Sequence, residues 1–81
     1  MLHIYTHVWN GAEWARDPEG QQFESLEAAC HAAHKSARAL IAEKILNGED
    51  AIYLEYCLHD ATNNQVGTVP LSAVVSNTVR S

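Results

Sequence analysis

The chain is predicted to be a small α+β domain of ββαββ order, a four-stranded antiparallel sheet with one long helix packed on one face. Three observations predict it. Ser25 to Gly48 reads as one helix, with seven alanines and no internal Gly or Pro, so ordering it costs little entropy. Strand-like alternation precedes that helix from Leu2 to Trp9 and follows it from Ile52 to His59. Each flank also carries turn residues that fold its strands back as a hairpin, which favours antiparallel pairing of neighbours. At 81 residues the chain makes one domain, residues 1–81, because so short a chain buries only about 60% of its unfolded surface.

The first strand sets Leu2, Ile4, Thr6 and Val8 against His3, Tyr5, His7 and Trp9, two unlike faces with the two-residue period of a pleat. Asn10-Gly11 follows as a type I′ hairpin signal, since both residues tolerate positive φ. Glu13 to Arg16 returns as a short second strand carrying Trp14. Asp17-Pro18-Glu19-Gly20 places Pro and Gly as a type I turn prefers, so the strand stops there and Gln21 to Glu24 leads into the helix.

Ser25 caps the helix by accepting from a free backbone N–H, with Glu27 at the positive end of the dipole. Gly48 ends it and Lys44 faces the negative end. At about 100° per residue, Leu26, Ala29, Cys30, Ala33, Ala37, Leu40 and Ile41 form an apolar stripe that must be buried. Glu27, His31, His34, Lys35, Arg38 and Ala42 face water, and Ala28, Ala32, Ala39 and Leu46 make a third strip of mostly small residues.

The third strand sets Ile52, Leu54, Tyr56 and Leu58 against Tyr53, Glu55, Cys57 and His59, and Asp60 to Asn64 is a polar turn. Gln65 to Leu71 is the fourth strand, with Pro70 near its end as an edge strand allows. Ser72 is expected to cap a short turn containing Val74 and Val75, and the last several residues to fray. A helix of this length, about 33 Å, covers strands of about 27 Å diagonally. The buried sheet face is predicted to be Ile4, Thr6, Val8, Ile52, Leu54, Tyr56 and Leu58, the more aliphatic of the two.

Ten acidic and five basic residues give a net charge of −5, which argues against nucleic acid as a partner because phosphate binding needs a positive surface. Two cysteines are too few for a disulfide framework, although a single Cys30–Cys57 bridge stays open at this point. With no basic and apolar leader and no run of about 20 apolar residues, the expected setting is cytoplasmic and away from membranes.

The remaining sheet face would carry His3, Tyr5, His7, Trp9, Tyr53, Glu55, Cys57 and His59, unusually aromatic and rich in histidine for a surface that meets only water. A homodimer interface is the first reading, an ordinary exposed face the second, and a ligand or metal surface the third. His3, His7, Cys57 and His59 are the candidate ligands, but His3 and His7 lie about 13 Å apart along a strand and cannot share one ion. Cys57 beside His59 or His7 is the only nucleophile and base pairing worth naming, and no oxyanion hole, paired carboxylates or phosphate loop accompanies it. The reading is therefore not an enzyme, and no cofactor or resident metal is expected.

Several short motifs occur in a telling order: Tyr5-Thr6-His7-Val8 with Gly11, Asp17-Pro18-Glu19-Gly20, and Ser25-Leu26-Glu27-Ala28-Ala29 opening an alanine-rich helix. Gly48-Glu49, a strand ending at Asp60, and Val69-Pro70-Leu71 complete the pattern. Together they resemble a widespread family of small bacterial domains of unknown function. Thr6 and Leu71 depart from it where bulkier aromatics are expected, and the Asp60 to Asn64 turn is slightly long. The resemblance implies no reaction or cofactor, but it implies an interaction role for His7, with Tyr5 beside it. A short, topological similarity links the strand, D-x-x-G turn and helix to part of the ribonuclease-H-like core of small antitoxin domains, an analogy of fold that does not fix function.

The functional expectation is a protein–protein association module, homodimeric through Tyr5, His7, Trp9, Tyr53 and His59. The alternatives are a regulatory, antitoxin-like partner using His34, Lys35 and Arg38 to meet an unidentified protein, and a metal or small-ligand site at His7, Cys57 and His59.

Overall fold

The computed structural model describes residues 1–74, ordered β1 (Leu2–Trp9), β2 (Trp14–Ala15), β3 (Gln21–Phe23), α1 (Leu26–Leu46), β4 (Ala51–His59) and β5 (Gln65–Val74). The α+β class holds, with one helix on an antiparallel sheet, but the sheet has five strands where four were predicted. Its order is β2-β1-β4-β5, and β3 also pairs with β1.

The extra strand comes from the segment expected to lead straight into the helix. β2 pairs Trp9↔Trp14 and Val8↔Ala15, and β3 resumes at Ile4↔Gln21, His3↔Gln22 and Leu2↔Phe23. Between these pairings Arg16 to Gly20 loops out opposite Tyr5 to His7, five residues against three. The edge is thus one returning strand interrupted by an outward excursion. The Asp17–Gly20 turn does not end the strand; it bends the chain out and returns it.

The hairpin after β1 also differs from a type I′ turn, because Asn63 is the only non-glycine with positive φ among the described residues. Asn10 instead closes a wider loop, its Oδ1 accepting from the N–H groups of Ala12 and Glu13 at 2.9 and 2.8 Å while its own N–H donates to the Glu13 carbonyl.

The helix forms as its residues dictate. Ser25 is the N-cap, its Oγ accepting from the Ala28 N–H at 3.0 Å, Glu27 lies in the first turn, and Gly48 follows the Asn47 cap at φ +94°. The predicted stripe is the buried one. Ala29, Ala33, Ala37 and Ile41 are buried against Ile4, Ile52, Leu54, Tyr56 and Leu58, with Val8, Leu26, Cys30 and Leu40 packed at the margin. Alanine at three successive turns lets the helix axis lie close to the sheet, chiefly over β4 and β5.

β4 joins β5 through the Asp60 turn, where one carboxylate oxygen accepts from the Thr62 N–H and hydroxyl and from the Asn64 N–H. β5 runs beyond the predicted Leu71, so Ser72 pairs with Tyr53 within the ladder and caps no turn. Pro70 sits inside this strand, which has no described neighbour on its outer side. Val75 and the predicted fraying of the last residues lie outside the described residues. Among the described residues no helix is long and apolar enough to cross a membrane.

Candidate functional site

The face of the sheet away from the helix is built by the register of β1 on β4. Tyr5 stands opposite His59, His7 opposite Cys57, and Trp9 opposite Glu55. Four of the five predicted contact residues are therefore neighbours, while Tyr53 sits one pleat further along, opposite Ser72 of β5. The rings meet in three pairs that the register sets side by side along this face. His3 tilts on Tyr5 at 4.9 Å, His7 meets His59 edge-on at 5.1 Å, and Trp9 leans on Trp14 at 5.3 Å. Arg16 lies over the Trp14 ring at 5.4 Å. Tyr5, His7, Trp9 and His59 are half-buried on this face, and Tyr53 and Trp14 are the more exposed at 42% and 43%.

A carboxylate organises the β4 end. Glu55 accepts from the Tyr53 hydroxyl at 3.1 Å and from the Cys57 thiol at 3.6 Å. The hydrogen bond to Glu55 pushes the Tyr53 phenol above its ordinary range, and burial, reinforced by Glu55, pushes the Cys57 thiol up. A raised thiol is the opposite of an activated nucleophile. Cys57 is buried on this open face and Cys30 packs against Gly67 on the helix side; both are free thiols, which closes the question of a bridge between them.

The β1 end is tied to the excursion. Asp17 Oδ2 accepts from the Thr6 N–H at 3.2 Å and Oδ1 from the Gly20 N–H at 3.0 Å, so a side chain supplies the acceptor that a regular ladder would provide. The Asp17 N–H in turn donates to His7 Nδ1 at 3.0 Å. Burial works to raise the Asp17 carboxyl, but the backbone donors Gly20, Thr6 and Glu19 outweigh it and hold the group below its usual value. His7 is held below the ordinary histidine value by burial, then by His59 and Arg16, with Asp17 opposing them.

His3 Nε2 donates to the Glu19 carbonyl at 2.8 Å and Nδ1 faces the Gln22 side-chain amide at 3.1 Å, so this ring also staples the excursion. His59 Nδ1 is 3.0 Å from Asn63 Oδ1. Each of the three histidines on this face is engaged through at least one ring nitrogen. Among the described residues no three His, Cys, Asp or Glu side chains gather where one metal ion would sit, so the reading that used His7, Cys57 and His59 as ligands lacks a preformed site.

A comparison with protein families matches residues 3–72 to a domain of unknown function, DUF6894. The chain belongs to the DUF6894 family. No curated protein and no solved structure matches it. The match runs from β1 into β5 and takes in every residue of these ring pairs, as the resemblance read from the motifs implied.

Sequence reasoning about this DUF6894 domain missed Trp14 and Arg16 as parts of the same face, and Asp17 as the residue that ties the sheet edge to it through His7. A usable signal was there for Asp17, because an Asp three residues before a Gly offers its carboxylate to that Gly's N–H. Nothing comparable marks Trp14 and Arg16, whose place depends on how far the excursion loops out.

Proposed function

We propose that this DUF6894 domain is a non-enzymatic association module that meets a second copy of itself through the open sheet face. The observation that carries the reading is the row of three ring pairs from His3–Tyr5 through His7–His59 to Trp9–Trp14, set side by side on one sheet face with Trp14 and Tyr53 still exposed. Contiguous aromatic surface of this kind gains by being covered, and rings ordered by their neighbours lose little entropy when a partner arrives. A Cys57 thiol held in its neutral form supports the non-enzymatic part.

Sedimentation of the untagged protein across a concentration series tests it. The natural chain is expected to sediment as a dimer, and Trp9→Ala and Tyr53→Asp each to shift it to monomer, the second by placing a carboxylate beside Glu55 on the covered face. Unchanged sedimentation of both variants, with folding verified by circular dichroism, removes the reading.

A second reading has its own observation. His31, His34, Lys35 and Arg38 line one hollow of 270 Å³ on the outer face of α1, and no ion pair among the described residues occupies Lys35 or Arg38. This reading is a regulatory partner protein that uses that side of the helix. Lys35→Glu with Arg38→Glu should abolish capture of its partner in a pull-down, and retention of every partner counts against it.

A further inference from the structure

The excursion between β2 and β3 is fastened at one point by a histidine nitrogen that a proton would occupy. A backbone amide can only donate, so the 3.0 Å contact from the Asp17 N–H requires a lone pair on His7 Nδ1 and puts the ring proton on Nε2. Protonation at Nδ1 would set two donors against each other. His3 is different: its Nε2 already donates to the Glu19 carbonyl, and its Nδ1 faces a side-chain amide that can turn its oxygen toward a new proton. His3 therefore tolerates charging in place, and His7 does not.

The groups around His7 fix the direction of the response. From β4 it faces His59, Cys57 and, one pair along, Glu55; from the excursion it faces Arg16 and Asp17. His59 and Arg16 oppose a charge on the ring. Asp17 favours one, but its carboxylate oxygens are already held by the Thr6 and Gly20 N–H groups. A charged ring can pair with that carboxylate only after the Asp17 amide has moved aside.

We propose that His7 and Asp17 form a proton-operated latch: protonation of His7 expels the Asp17 amide and swings the Arg16–Gly20 excursion away from the β1 edge. The movement reaches the open face through Arg16, which stacks on Trp14, which leans on Trp9. As a regulator of self-association the latch rests on the association reading above. As an event within one chain it stands apart from it.

Nuclear magnetic resonance of the ¹⁵N-labelled protein, titrated between about pH 8 and about pH 5, tests the latch. The Asp17 amide proton is expected to lose its hydrogen-bonded shift with the same midpoint as the His7 ring, below the ordinary value of 6.5. The His7→Asn variant, whose Oδ1 offers a non-titrating acceptor near the Nδ1 position, should hold the Asp17 amide shift constant. A His7 titration that leaves the Asp17 amide unmoved overturns the proposal, as does an Asp17 transition that persists in His7→Asn. Should that variant not fold, the shared midpoint in the natural chain decides alone. Sedimentation of the same samples separates the two ideas: a monomer at both ends of the titration sinks the association reading, while the amide shifts still decide the latch.

Discussion

Gly20 shows how narrow the tolerances of the excursion are. It adopts φ +71°, and a Cβ there would lie 2.6 Å from His3 Nε2 and 3.0 Å from the Ile4 carbonyl oxygen. Gly20→Ala is thus strained twice, by its backbone conformation at about 1–2 kcal/mol and by the loss of the His3 to Glu19 hydrogen bond at about 1 kcal/mol. A urea titration should show a loss of about 2–3 kcal/mol, and a loss below about 1 kcal/mol would mean that the excursion relaxes without strain. At this scale the sequence was half legible. D-x-x-G announced a turn, and the alternation of β1 put His7 on the open face, but the bond from the Asp17 N–H to His7 joins residues whose proximity depends on the excursion's length. Pattern along the chain cannot supply that length.

Among the elements, the helix was the most legible and the β2–β3 edge the least, for one physical reason. A helix carries its signals locally: Ser25 caps it, Gly48 ends it, and a stripe of period about 3.6 residues marks its buried face. Gln21-Gln22-Phe23 becomes a strand only because β1 offers unpaired backbone groups beside it, and two of its three residues are polar glutamines. The helix stripe also reveals what alanine does here. Ala37 is completely buried between α1 and the sheet, so Ala37→Leu must push the helix outward. The expected loss is about 1–3 kcal/mol in urea unfolding, and an unchanged midpoint would show that space exists beneath the helix. Ser25→Ala, by contrast, removes only the acceptor for the Ala28 N–H, and its cost should be about 1 kcal/mol.

Across the whole molecule, one side of the sheet is closed by the helix, and the groups whose proton affinities the fold has moved lie on the open face (His7, Tyr53, Cys57), in the excursion (Asp17) and in the β4–β5 turn (Asp60), so stability should depend on pH. His7 and Asp17 both have folded values below their ordinary ones, so each contributes stability that is present above its unfolded value and lost as pH falls through its folded value. The His7 contribution begins to fade below 6.5 and the Asp17 contribution below 3.8. Cys57 has the opposite sign: its thiol is raised, so its contribution is complete below 9.0 and fades as pH rises through the folded value. Denaturant midpoints should therefore form a plateau between 6.5 and 9.0 and fall on both sides. Because the chain carries a net charge of −5 at pH 7, mild acidification also relieves self-repulsion, so the His7 step is best read as the difference between the natural chain and His7→Asn. That difference should grow in favour of the variant as pH falls below 6.5. If the two curves stay parallel through that range, His7 carries no proton-linked stability, and the coupling between the excursion and the sheet is fixed by packing alone.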